Sequence, residues 1–459
     1  MDLHIVLDRN HPLRAQVERE LRDGIRLGRL RGGSRLPPTR LLARELGVSR
    51  GVVVEAYAQL VAEGYLLART REGTRVAEGL AQDPRPARPD QTPQPRVRYD
   101  LRAGIPDLSL FPRRAWHTAT ARALRELPDA ALSYGPPAGM RRLREAVGAY
   151  LGRVRAVLAD PDQILITCGS SDALGLLWRT FREHGAQRIA IEDPSWPRIA
   201  ETIRQAGMTP VPIPVDEHGL VVSALAASQA DAAVVSPAHQ YPTGAVMHPS
   251  RRAELIAWAR RSGGLIVEDD YDAEYRYDGP PIASLQSMAP DRVAYIGTCS
   301  KTLAPGMRLG WLIVPDRLAS EQVEQHAITY AQPSALTQAG FVILLERGDL
   351  DRHLRRTRRI YRARRATLVA ALAQAMPAWQ VRGASAGLHV MAWLPPGSDE
   401  AGIVAAARAR GLLVDGLHRE CAVHAASPPG LVLGYGAIAE PAIGAAIRDL
   451  AEVSQLPYL

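Results

Sequence analysis

Tyr295-Ile-Gly-Thr-Cys-Ser-Lys301-Thr-Leu-Ala-Pro-Gly-Met-Arg308-Leu-Gly310 runs out of an apolar segment, Arg292–Ile296, into small and hydroxyl-bearing residues around one lysine. The spacing predicts a buried strand followed by a loop that carries the lysine. Among 459 residues and 56 Lys plus Arg, Lys301 is the only lysine. A chain so biased toward Arg keeps Lys where Arg cannot serve. Arg stays protonated in proteins and forms no Schiff base, whereas a Lys amine can lose its proton and attack a carbonyl. The plainer alternative is chance survival of one codon, so the neighbouring residues have to decide.

Working outward, Gln163–Thr167, Arg188–Glu192, Ala232–Ser236 and Gly264–Glu268 read as further buried strands. They lie far enough apart for crossover helices, so residues 99–459 are expected to form an α/β domain with a mainly parallel sheet. Residues 79–98 hold little apolar content and several prolines, and read as a linker. Residues 1–78 read as helical with turn signals. Residues 1–98 hold 18 Arg against 12 Asp and Glu, leaving +6 of the total +8 in this part. That asymmetry points to nucleic acid at the N-terminal end, against the background of a generally Arg-rich chain. Cys168, Cys299 and Cys421 are scattered, with neither metal spacing nor a disulfide framework. No long apolar run predicts a membrane span, and the opening MDLHIVLDRNHPLR does not read as a leader. A cytoplasmic protein with no membrane partner is the expectation.

In the N-terminal block, Leu13, Val17, Leu21 and Ile25 lie on one face of a helix over Pro12–Leu27. Thr39 is expected to cap a helix through Leu46. Gly47-Val48-Ser49 makes a tight turn, with Ser49 capping Arg50–Glu63. Two helices joined by a short Gly-containing turn form a helix-turn-helix. The GYLLARTREGTRVA that follows reads as a β-hairpin wing turning near Glu72-Gly73. The string LPPTRLLARELGVSRGVVVEAYAQLVAEGYL resembles the winged helix-turn-helix of the GntR superfamily. It departs from that pattern at Pro38, where a Ser is usual, and at Val52. Placement on such a unit makes Arg35, Thr39, Arg40, Ser49, Arg50, Arg71 and Thr74 the candidate contacts to a double-stranded DNA operator. The alternative for each Arg is a solvated surface charge.

In the C-terminal block, the lysine segment resembles the S-x-K-x-x-x-P-G-x-R-x-G stretch of fold-type I aminotransferases. The resemblance implies pyridoxal 5′-phosphate (PLP) held as a Schiff base on Lys301. Thr298, Ser300 and Arg308 would serve its phosphate. In Gly264-Leu-Ile-Val-Glu-Asp269-Asp270-Tyr271-Asp272 a strand ends in carboxylates. PLP needs one at its pyridine nitrogen, and the family's strand-end Asp falls on Asp269. Period-two alternation puts Tyr271, a partner for the cofactor's O3′, on the same side and Asp270 on the other. A metal-binding acidic cluster is the alternative, but no His stands nearby in the sequence, and no metal is expected. Gly169, Ser170 and Ser171 open a helix and suit phosphate. Trp196 is placed to stack on the ring. Ser236-Pro-Ala-His-Gln-Tyr241-Pro-Thr-Gly resembles the N-P-T-G loop with Tyr241 in place of Asn, and Tyr134 falls where the family's Tyr reaches the neighbouring subunit's phosphate.

A GntR winged helix, a linker and an aminotransferase-like domain in this order resemble the MocR family of transcription regulators. That resemblance implies a head-to-tail homodimer and a small amino-compound effector, or PLP itself. Arg198 and Arg419 are the candidates for an effector carboxylate. An active aminotransferase carrying a DNA-binding head is the competing reading, because the Lys, Asp and Arg set is intact.

Overall fold

The computed structural model describes residues 7–69, 73–79, 97–279, 281–329, 332–383, 385–420 and 428–454, with the backbone alone at 419 and 420. The chain falls into two compact units, Met1–Gln94 and Pro95–Leu459. Most of the stretch read as a linker lies outside the described residues, as does Arg71.

The first unit contains α1 (Leu13–Arg26), α2 (Thr39–Leu46), α3 (Arg50–Ala62) and an antiparallel pair, β1 (Leu66–Arg69) and β2 (Gly73–Val76). Val17, Leu21 and Ile25 of α1 pack with Leu42, Val53, Ala56 and Leu60 and with the facing Leu66 and Val76. Gly47 ends α2 at φ 63°, a left-handed position that suits a residue without Cβ, and its amide bonds back to Ala43 and Arg44. Two capping expectations need correction. Thr39 is the first residue of α2 and Pro38 is the cap, held extended at ψ 143°. Proline offers no side-chain acceptor, so this end has no capping bond. Ser49 does occupy the cap of α3, yet its hydroxyl makes no capping bond there.

The second unit begins with β3 (Tyr99–Asp100), α4 (Arg113–Glu126) and α5 (Arg141–Arg155). Next come β4 (Ile164–Thr167), α6 (Ser170–Glu183), β5 (Arg188–Asp193), α7 (Pro197–Gln205), β6 (Thr209–Asp216), β7 (Gly219–Leu220), α8 (Val222–Ala227), β8 (Ala232–Val235) and α9 (Pro249–Ser262). β9 (Leu265–Asp270), β10 (Val293–Thr298) and β11 (Gly310–Ile313) complete the large sheet. Its order is β4-β11-β10-β9-β8-β5-β6-β7. The run β10-β9-β8-β5-β6 is parallel throughout, while β11 is antiparallel to both its neighbours. The sheet is therefore mainly parallel, as the spacing of the strands predicts.

Parallel strands buried on both faces need apolar residues at every position. Ile189, Ile191, Val234, Val267 and Ile296 pack on one face with α6 and α7. Ala190, Ala233, Val235 and Ile266 pack on the other with α8 and α9. The remainder is α10 (Asp316–Thr329), α11 (Ala335–Glu346), the long α12 (Asp349–Ala375), β12 (Gln380–Arg382), β13 (His389–Trp393), α13 (Glu400–Ala409), β14 (Leu412–Leu413), β15 (Asp415–Gly416), β16 (Gly430–Gly434) and α14 (Glu440–Ser454). A small sheet, β12-β13-β16-β15, lies in this part.

Gly297 lies opposite Trp311 in the β10–β11 register, and a Cβ at position 297 would run into the indole. Gly297→Ala should therefore destabilise the larger unit by about 1–3 kcal/mol through overpacking beside the lysine loop, read as a lowered thermal midpoint.

Candidate functional site

Six strands, β4, β5, β6, β8, β9 and β10, point the same way, so their carboxyl ends share one edge of the sheet. Open α/β sheets bind ligands at that edge. A cavity there is lined by Ser170 and Ser171 after β4, Glu192 and Trp196 at β5, Ser236 and Tyr241 after β8, Asp269 and Tyr271 at β9, and Thr298, Ser300, Lys301 and Arg308 around β10. Residues spread over 139 positions of sequence meet because parallel strands end together.

Lys301 Nζ donates to the Gly104 carbonyl at 2.6 Å. Burial holds its amine below the ordinary lysine value, while Asp272 and Asp269 pull the other way. A lowered value raises the fraction of free, nucleophilic amine. Asp269 and Asp270 separate as alternation requires. Asp270 accepts from Arg155 Nε and from Tyr295 Oη, both at 2.6 Å. Asp269 faces the cavity, and its Oδ1 is buried with no hydrogen-bond partner among the described residues. Burial, with Asp270 alongside, pushes its carboxyl up to about 7. Tyr271 lines the same cavity, and its hydroxyl donates to the His239 carbonyl at 3.0 Å.

The part of the cavity between the start of α6 and the end of β10 is built for an anion. Gly169, at φ 99°, opens α6, and a Cβ on it would stand 3.7 Å from Arg308 Nη1 and 4.0 Å from Thr298 Oγ1. Thr298 and Ser300 hydroxyls bond each other at 2.9 Å. Arg308 is held at φ 47° with its backbone amide bonded to the Pro305 carbonyl, and its guanidinium makes no hydrogen bond or ion pair among the described residues. A helix N-terminus, two hydroxyls and an unengaged guanidinium make a phosphate cradle.

Not every expected residue joins this cavity. Arg198 is exposed on α7, with its guanidinium 5.8 Å from the Trp196 ring, and is not among the lining residues. Position N2 of α7 points it to solvent while Ile199 turns inward. Tyr134 is 90% exposed and lies in a separate depression with Gln332 and Ser334. The side chain of Arg419 lies outside the described residues. Sequence reasoning also missed residues. Glu192, His239 and Asp272 stand inside segments it quotes, yet a single chain gives no sign that they are buried together. Gly104, which receives the lysine, carries no local signal at all, being 197 positions away.

In the smaller unit, Arg35, Arg40, Ser49 and Arg50 are exposed, and Thr39 and Thr74 are half-buried. Arg14 and Arg22 are paired, with Glu18 at 2.6 Å and Glu63 at 2.8 Å. Arg35, Arg40 and Arg50 make no side-chain hydrogen bond or ion pair among the described residues. These three flank the helix-turn-helix and its recognition-helix N-terminus, where phosphates are favoured.

Residues 100–425 match the family model for aminotransferase class I and II, and residues 13–76 match that for bacterial regulatory proteins of the gntR family. The chain is similar to the HTH-type pyridoxine biosynthesis transcriptional regulator PdxR of Corynebacterium glutamicum, with 33% identity over 99% of both chains. It is also similar to the probable rhizopine catabolism regulatory protein MocR of Rhizobium meliloti, 32% identical over 95% of this chain and 92% of that one. Among solved structures, an archaeal alanine:glyoxylate aminotransferase superposes with a TM-score of 0.73 at 25% identity, covering 79% of this chain and 91% of its own.

Glu192 gives this site a pH signature. Its Oε1 is buried without a partner among the described residues, and burial pushes its carboxyl up to about 8, while the Ser236 amide and Gln240 pull it down. A raised value in the folded state means the fold holds that proton more tightly than the unfolded chain does. The resulting stability is full below the ordinary carboxyl range and is lost as pH rises through about 8. Thermal melts of cofactor-free protein should fall over that window, and Glu192→Gln should flatten the decline. An unchanged slope in the variant would assign the titration to other groups.

Proposed function

The chain belongs to the MocR family, transcription regulators that join a gntR-family head to a class I and II aminotransferase unit, and from this we propose that it holds PLP on Lys301 and binds operator DNA through its winged helix. The observation that carries the cofactor assignment is the Oδ1 of Asp269, buried and unpartnered among the described residues in the same cavity as the lysine. An orphaned carboxylate oxygen is costly, and a protonated pyridine nitrogen is the donor it lacks. The anion cradle at the start of α6 fits the cofactor's phosphate. When bound, PLP supplies an electron sink for amino compounds.

The chain's own residues then have defined work. Lys301 gives the amine for attachment. Asp269 would accept from the ring N–H and so keep that nitrogen protonated, and Tyr271 would direct its hydroxyl to the ring oxygen. Ser170, Ser171, Thr298, Ser300 and Arg308 hold the phosphate, with Gly169 leaving room for it. Trp196 and Tyr241 close the cavity. We read the effector as a small amino compound or PLP itself, and the assembly as a head-to-tail homodimer in which Tyr134 reaches a second copy's cavity. The 90% exposure of Tyr134, beside the exposed Leu132, supports that reading. For the head, Arg50 and Ser49 at the start of α3 contact phosphate, Arg35 and Arg40 flank them, and Thr39 and Thr74 lie alongside. Ligand-linked regulation requires that the effector bind two states of the dimer unequally. An effector carboxylate on Arg198 would require that side chain to leave the Trp196 ring.

Purified protein should show a visible absorption band that Lys301→Ala lacks; a band surviving in that variant would overturn the cofactor assignment. Arg50→Ala should weaken operator binding at least about tenfold, the scale of losing one well-placed phosphate or base contact, while keeping the band. Undiminished operator affinity would remove Arg50 from the interface. Sustained transamination of an amino donor with 2-oxoglutarate would instead favour a working enzyme with a DNA-binding head.

A further inference from the structure

Behind Tyr271 lies a buried polar cluster to which the cofactor roles assign nothing. His239 Nδ1 stands 3.1 Å from Asp272 Oδ2 and 3.1 Å from Tyr271 Oη. The His239 and Asp272 side chains are 1% and 2% exposed. His389 of β13 packs on His239 with the rings tilted and their centroids 4.9 Å apart, and its Nε2 meets the Pro242 carbonyl at 3.1 Å. Gly387 closes the cluster from the far side, because a Cβ there would run into both His239 and Asp272. Its carbonyl accepts from Tyr277 and Tyr435, at 2.7 and 2.6 Å. Sequence and backbone have thus given up a side chain at 387 to seat this pair.

We propose that Asp272 and His239 form a buried relay that holds the Tyr271 phenol against the cavity, making both of them positioning residues of the cofactor site. The inference rests on the reading that PLP is carried on Lys301. The Nδ1–H is shared between Asp272 and the phenol oxygen, so the phenol accepts from His239 and keeps its own proton for the cavity. Without a ligand that proton rests on the His239 carbonyl at 3.0 Å. Asp272 is also the larger of the two carboxylate influences that sustain the proton on Lys301, ahead of Asp269. The other charged or titratable groups facing the relay are His389, Glu192, Glu274, Tyr241, Tyr277 and Tyr435. The ligand atoms of His239, Asp272 and His389 lie within 4.8 Å of one another, the spacing of a metal site. Nδ1 and the carboxylate already face each other at hydrogen-bonding distance, which favours the relay.

The test is a spectroscopic pH titration of the PLP-loaded full chain, following its visible band. Asp272→Asn should move the midpoint down by at least about one pH unit, because the protonated Lys301 nitrogen loses the favourable influence of that negative charge. The shift produced by Tyr271→Phe should shrink by more than half in a His239→Leu background and return in His239→Asn, whose amide N–H can stand where Nδ1 does. The His239 arms stand by themselves if Asp272→Asn does not fold. Midpoints within about 0.3 of wild type in loaded Asp272→Asn and His239→Leu proteins would overturn the relay. So would a chelator that shifts the wild-type midpoint as Asp272→Asn does, since the cluster would then be a metal site. Absence of the visible band from wild-type protein would count against PLP on Lys301 and is a separate result.

Discussion

Asp269 and Asp270 are adjacent carboxylates at the end of one buried strand, and the site depends on their being treated differently. Asp270 is met by Arg155 from the C-terminal end of α5 and by the Tyr295 hydroxyl of β10. Arg155 also donates to the Ile282 carbonyl, so the clamp joins α5, β9, β10 and the segment after β9. With its neighbour engaged, Asp269 alone is left for a ligand. Breaking a buried pair by removing one partner typically costs 3–5 kcal/mol, because the other charge stays buried. At Arg155 such a change would also disturb Asp269, which already feels Asp270 beside it.

Much of the site was legible in the sequence because it is written in short segments. The lysine loop, the Asp269–Tyr271 strand end and the Gly169–Ser171 helix start each carry a local pattern, and strand period alone sends Asp269 and Asp270 to opposite faces. Their convergence was legible too, since parallel strands with crossover helices bring carboxyl ends together. What could not be read were pairings between distant positions. Gly104 receives Lys301, Arg155 meets Asp270, and Gly387 makes room for His239 and Asp272; nothing at positions 104, 155 or 387 announces this. Capping was misjudged at Thr39 because Pro37-Pro38 fixes the entry to α2 before a hydroxyl is needed. Arg198 follows its motif spacing, yet one helical step decides whether a side chain faces a cavity or water.

In the smaller unit, pairing sorts the arginines better than count does. Arg14 and Arg22 spend their charge on Glu18 and Glu63, and Arg22 thereby ties α1 to the end of α3. Arg35, Arg40 and Arg50 have no such tie among the described residues. Charge excess alone therefore overstates the surface available to an anionic partner, because paired arginines contribute little field.

The lone amine of Lys301, held on a backbone carbonyl within the larger unit, has one more consequence. Every other basic side chain apart from histidine is a guanidinium, which keeps its proton at any physiological pH. The chain's exterior therefore offers acetylating and other amine-directed reagents no lysine to modify, and its positive charge cannot be erased by such chemistry. A reagent that does capture an ε-amine must have entered the cavity, so a single covalent label would report directly on whether that cavity is open.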